Sequence, residues 1–160
     1  MEGKNSCDNF ASEYKSSRQL PFRSYTRMVF PYQILGPMEG LFILDLACRD
    51  GIQTRRLMES GAEKVLGVDL SAEMISLALE EEVLDPLGCE QEVGDASNPG
   101  SAGEFEIVNE AHLLNYANPA KLLSQFAKTI CSNLKPGGRF LGINNNPAKA
   151  AAAYPALLKI

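Results

Sequence analysis

Two apolar runs, LFILDLA (41–47) and KVLGVDL (64–70), constrain this chain more than any other feature. Each has the length of one strand, and the first is apolar at every position but Asp45, as expected of a strand covered on both faces. The segments that follow supply that cover. IQTRRLMES (52–60) reads as a short helix stopped by Gly61, and AEMISLALEEE (72–82) as a helix capped by Ser71. Met74, Leu77 and Ala78 share one face of the second. CEQEVGD (89–95) and FEIVNEA (105–111) read as a third and a fourth strand. Asn118 and Pro119 open a helix to about Leu134, with Leu122, Leu123, Phe126, Ala127 and Ile130 on its buried side. KPGG (135–138) turns the chain into a fifth strand, RFLGINN (139–145).

Alternating strands and helices imply parallel strands joined by right-handed helical crossovers, hence an α/β chain folded as a three-layer α/β/α sandwich with a mostly parallel sheet. The 160 residues suit one domain. Its parts are a helical N-terminal segment over 1–35, interrupted by Pro21 and Pro31, and a sheet domain over 36–160. In such sheets ligands sit at the carboxyl ends of the strands, near the switch in strand order. Asp45, Asp69 and Asp95 all fall at strand ends by this reading.

Charge and cysteine usage narrow the classes. The formal net charge of -5 gives no general attraction to nucleic acid or membrane. Residues 31–110 hold 17 of the 20 acids, whereas 111–160 hold six basic residues and no acid. A cationic ligand suits that acidic middle, and so do solvated helix faces. The four cysteines form no CxxC and there is one histidine, which fits neither a zinc site nor a disulfide framework; no metal is expected. MEGKNSCDNF lacks the apolar core of a signal peptide, and no apolar run has membrane-spanning length, so a cytoplasmic setting without a membrane partner is expected.

A dinucleotide site needs G-x-G-x-x-G directly after the first strand, so that pyrophosphate lies on a helix N-terminus. Here Ala47, Arg49 and Gly51 stand in that turn, with the negative Asp45 before them. A ligand with an adenosine, no phosphate and a positively charged tail fits better: Asp45 attracts an ammonium directly or through water, and Asp69 accepts from both ribose hydroxyls. Leu70 then lies against the base, and Asp95 accepts its exocyclic amine.

LDLACRDGIQTRRL, VLGVDLS, VGDAS, FEIVNEAHLLNYA and LKPGGRFLGINNNP resemble, in order and spacing, the successive motifs of class I S-adenosylmethionine-dependent methyltransferases. The small-molecule, ubiquinone-methyltransferase-like branch is the most similar, over roughly residues 14–150. The resemblance implies a Rossmann-like fold and S-adenosylmethionine as cofactor, with S-adenosylhomocysteine as product. It implies cofactor contacts at Asp45, Ala47, Gly51, Asp69, Leu70, Asp95, Ala96 and Asn109. YKSSRQLPFRSYT (14–26) resembles the branch's N-terminal lid, where Tyr14 and Arg23 approach the methionine end.

Two departures stand out. The family turn usually has glycine where this chain has Arg49, which pairs with a cofactor carboxylate, points to solvent or obstructs the turn. The family sheet also continues past its fifth strand into an antiparallel pair, which this sequence lacks. RFLGINN is then an exposed edge, and a homodimer through it is expected.

Methyl transfer is an in-line displacement, for which the protein supplies alignment and a dry pocket. His112 stands where a general base faces the substrate, although a helix-start or loop histidine reads the same way; Asn115 and Tyr116 are placed for substrate contact. Three classes stay open: a methyltransferase acting on a small-molecule acceptor, a binding or regulatory protein of the same fold without methyl transfer, and a dinucleotide enzyme.

Overall fold

The computed structural model describes residues 34–145 except 99, 101 and 119. The N-terminal segment therefore lies outside the described residues but for Ile34 and Leu35, and so do Tyr14, Arg23 and Pro119. Five strands form one sheet: β1 (Phe42–Leu46), β2 (Lys64–Asp69), β3 (Glu90–Val93), β4 (Phe105–Ala111) and β5 (Leu134–Ile143). Between them lie α1 (Ile52–Glu59), α2 (Ala72–Leu84), a 3-10 turn (Leu113–Tyr116) and α3 (Ala120–Asn133). The order is β3-β2-β1-β4-β5 and every pair is parallel, so the chain reverses its direction of travel across the sheet between β1 and β4. This is the expected α/β topology, and sheets of this kind place their ligand crevice at that reversal, outside the carboxyl ends of the strands.

Alternation along the strands divides the core. Ile43, Val65 and Ile107 meet Leu57 of α1 on one face. Leu44, Leu46, Leu66, Val68 and Val108 meet Phe126 and Ile130 of α3 on the other. α2 lies beside α1: buried Arg55 pairs with Glu82 at 2.7 Å and Asp85 at 2.6 Å. Glu82 also accepts from the amides of Leu87 (2.7 Å), Gly88 (2.5 Å) and Cys89 (3.1 Å), which stops α2 and aims the chain into β3. Ser71 caps α2 by accepting from Met74 N at 3.3 Å, as its position predicts.

Three elements differ from expectation. β5 begins at Leu134 rather than 139, because KPGG runs alongside β4 as an irregularity in register between Phe105 and Ile107. β3 is four residues long instead of seven: Gly94 N donates to Asp69 O at 2.9 Å and Asp95 folds into a turn, which ends the ladder. On α3, Leu123 and Ala127 are exposed, and the buried residues are Phe126, Thr129, Ile130 and Asn133. The helix is rotated because Asn133 is drawn inward. Its Oδ1 accepts from Ala102 N at 2.7 Å, and its Nδ2 donates to Gly100 O at 3.2 Å.

Candidate functional site

The side chains around the crevice begin with β1. Asp45 lies one residue inside the strand, not at its tip, and is 1% exposed. Register places it between Gly67 of β2 and Asn109 of β4, facing α1. Thr54 Oγ1 donates to Asp45 Oδ2 at 2.8 Å, and Asn109 Nδ2 donates to Oδ1 at 2.7 Å. Thr54 and Asn109 thus cover this carboxylate, one on each oxygen. Burial pushes its pKa up to about 6 despite those two bonds. Gly67 is what lets α1 come so close. A Cβ there would stand 2.9 Å from both Cys48 Sγ and Thr54 Oγ1.

The loop from β1 to α1 follows. Cys48 N donates to Val68 O at 3.1 Å, and Gly51 N to Cys48 O at 3.1 Å. Gly51 has φ 75, and a Cβ there would stand 2.9 Å from Ala78 Cβ, so this glycine lets the loop pack against α2. Ala47 (φ 58) and Arg49 (φ 56) adopt the left-handed conformation without being glycine. Arg49 N donates to Asp69 Oδ2 at 2.8 Å, which ties the loop to the tip of β2. That amide serves an acid, where a pyrophosphate turn would aim it at phosphate. The Arg49 side chain is half-buried, and its charge steadies the ionised forms of both Asp45 and Glu110.

At the β2 tip, Asp69 is buried, and its Oδ1 accepts from Ser71 N at 2.9 Å. Each oxygen takes one backbone amide and retains capacity for another donor. Leu70, the next residue, is 47% exposed. The Gly94 bond to Asp69 O brings the loop after β3 alongside, with Asp95 exposed and Ala96 packed against the core. Asp95 Oδ1 accepts from Ser97 N at 2.8 Å. Asp69, Leu70, Asp95 and Ala96 therefore lie together at one end of the crevice.

The turn after β4 forms the other side. His112 has φ 71, and its backbone N donates to Ile143 O at 2.7 Å. Exposed Asn115 and Tyr116 share this turn. Glu110, at the end of β4, is wholly buried. It accepts from Leu113 N at 2.7 Å and from Asn144 Nδ2, which joins the turn to the end of β5; burial raises its pKa. Burial, with the charges of Asp45 and Asp69, drives the Cys48 thiol well above its usual range, so it is no nucleophile.

Thr54 and Glu110 were not singled out by sequence reasoning. Thr54 had a signal: it stands three residues before Leu57 on the inward stripe of α1. Glu110 had a weaker one, an acid two residues beyond buried Val108 and so on the same face of β4. Among the described residues no group of three or more His, Cys, Asp or Glu is placed to hold a metal, and no helix is long and apolar enough to cross a membrane.

A family model described as a methyltransferase domain matches residues 43–138, more than half of the chain. The 18S rRNA (guanine-N(7))-methyltransferase bud23 of Schizosaccharomyces pombe is 36% identical over 105 residues, covering 61% of this chain and 39% of that protein. A ubiquinone biosynthesis O-methyltransferase of Rhizobium etli is 28% identical over 148 residues, covering 91% of this chain and 51% of the relative. Thus the chain spans about half the length, or less, of the curated relatives it matches. In shape it is similar to a solved DhpI-SAM-HEP complex, with a TM-score of 0.75 and 22% identity over 98% of this chain and 70% of that one.

Proposed function

This chain belongs to the methyltransferase-domain family, and from that premise we propose that it binds S-adenosylmethionine in the β1–β4 crevice and methylates a small-molecule acceptor. The observation that carries the reading is the β2 tip. A buried acid with spare acceptor capacity, Asp69, stands directly before an exposed apolar side chain, Leu70. That pairing fits a nucleoside, with its hydroxyls on the acid and its base against the leucine. The turn beside it fits a ligand without pyrophosphate, because Asp69 takes the Arg49 amide and Asp45 lies beneath.

In this reading Asp69 and Leu70 hold the nucleoside, with Asp95 and Ala96 bordering the base. Ala47 and Gly51 shape the turn, while Asp45, through Thr54 and Asn109, gives the crevice floor a negative potential suited to a cationic tail. Tyr14 and Arg23, outside the described residues, are assigned to the methionine end by the family resemblance alone. When bound, the cofactor supplies a methyl group already activated by the sulfonium, so the chain's task is alignment and exclusion of water. Asn115 and Tyr116 face the acceptor.

Support for a small-molecule acceptor comes from the acidic surface and from the span of the match to the ubiquinone O-methyltransferase. The rRNA-methyltransferase relative favours a second reading, a nucleic-acid acceptor. Methyl-labelled S-adenosylmethionine supplied with an extract separates them: label should enter the small-molecule fraction. Label in RNA would overturn the acceptor class. Cofactor binding without transfer would favour a regulatory protein.

A further inference from the structure

The hydrogen bonds around His112 decide which ring nitrogen carries its proton. Asn145 N–H donates to Asn115 Oδ1 at 3.2 Å, and this fixes the orientation of the Asn115 amide. The group left 3.1 Å from His112 Nδ1 is then the Nδ2 amino group. An amino group only donates, so Nδ1 accepts and carries no proton. In the neutral ring the proton sits on Nε2. The lone pair of Nδ1 is engaged, and Nε2, shielded from solvent, holds a hydrogen.

The backbone keeps the ring in this setting. His112 is held at a left-handed φ by the bond from its amide to β5, and Asn115 N returns to His112 O at 3.3 Å. Asn115 is thus bonded to His112 twice, through backbone and side chain, while Asn145 orients it from the end of β5.

Among the described residues, the other acids near the crevice are no better placed to take a proton; exposed Asp95 lies with Leu70 and Ala96 at the β2 end, where the proposed function puts the base. Asp45 and Glu110 each have both oxygens occupied by donors, at 1% and 0% exposure. Asp50 is 2% exposed, and Asp69 is committed to backbone amides and, in the proposed function, to a ribose.

We propose that His112 is a positioning residue locked as the Nε2–H tautomer, and that the methyl acceptor attacks through an atom whose lone pair is already free, a carboxylate or phenolate oxygen or a thiolate sulfur. The acceptor class rests on the methyltransferase reading. With such an acceptor the attacking pair forms the bond to carbon while the carbon–sulfur pair stays on sulfur. Anion and sulfonium both become neutral, and no proton is left to place. An aliphatic alcohol, which must lose a proton during attack, does not suit this site.

The full chain has one histidine, so a long-range proton–nitrogen spectrum of the labelled protein contains a single imidazole. Nδ1 should show the signature of an unprotonated nitrogen and Nε2 that of a protonated one. Asn115→Asp replaces the donor with an acceptor and should place a proton on Nδ1. A protonated Nδ1 in the unaltered chain, or an unchanged pattern in Asn115→Asp, would overturn the proposal. This spectrum needs neither cofactor nor acceptor, so it reports the state of His112 even if methyl transfer is never observed. For an acceptor that turns over, His112→Gln should change kcat by less than about tenfold, because a lost base costs about a hundredfold or more. The kcat/KM profile of the unaltered protein should lack a limb at the pH where an imidazole titrates; such a limb, or the larger loss in His112→Gln, would likewise overturn it.

Discussion

Asp45→Asn should stabilise this protein, and by an amount that depends on pH. The carboxyl is 1% exposed, and burial raises it from 3.8 to about 6. That rise of about two pH units, at about 1.4 kcal/mol per unit, corresponds to about 3 kcal/mol. The sign follows from the direction. Below about pH 4 the group is protonated in both folded and unfolded chains and costs nothing. Between about 4 and 6 the folded state keeps its proton while the unfolded chain loses it, so stability falls as pH rises; above about 6 the full cost is present. Asparagine retains both contacts: its Oδ1 accepts from Asn109 Nδ2, and its Nδ2 donates to Thr54 Oγ1, whose hydrogen turns to a helical carbonyl. Urea unfolding of both proteins at pH 4, 5, 6, 7 and 8 tests this. The variant should gain up to about 3 kcal/mol over the parent at pH 8 and little at pH 4. A gain independent of pH, or one largest at pH 4, would refute the assignment of a buried, strained charge.

Other perturbations separate the site's parts. Arg49→Gly keeps the amide that Asp69 accepts, relieves a positive φ worth about 1 kcal/mol, and removes the cation that steadies Asp45 and Glu110. Its stability relative to the parent should therefore be more favourable at pH 4 than at pH 8 in urea titrations; the reverse order would place the guanidinium away from both acids. Gly67→Ala drives a methyl group into Cys48 and Thr54 and should cost about 1–3 kcal/mol in the same assay, while Gly100→Ala, with open space around it, should sit near zero. Asn133→Ala leaves the Ala102 amide without its acceptor and should destabilise by about 1–3 kcal/mol, read as a lower urea midpoint.

Much of the framework was legible because two periods were clean. LFILDLA is apolar at all but Asp45, and KVLGVDL carries Val65, Leu66, Val68 and Leu70; short runs of this kind between helical segments suit strands of a covered sheet, which led directly to β1, β2 and their crossover. Asp69 was placed well for the same reason, since it closes such a run. Asp45 was misjudged by one residue of depth. Sequence shows an acid near a strand end, but whether it points to solvent or under α1 depends on Gly67 and Thr54, which belong to other elements. α3 was misread for a similar reason. Leu123 and Ala127 look like core by hydrophobicity, but Asn133 is pulled inward by the loop before β4, a contact 31 residues distant in sequence. The role of the turn after β4 was the least legible, because His112 takes its state from Asn115 and Asn145, and their bonds appear only once β5 lies beside β4.

The central claim is that the tip of β2 holds a nucleoside. Calorimetric titration with S-adenosylhomocysteine, comparing the unaltered chain with Asp69→Ala, tests it most directly. Bonds to a charged acceptor are the stronger class, so the substitution should weaken binding by about 2–4 kcal/mol while the fold survives. A folded Asp69→Ala protein that binds the nucleoside as tightly as the parent would contradict the account.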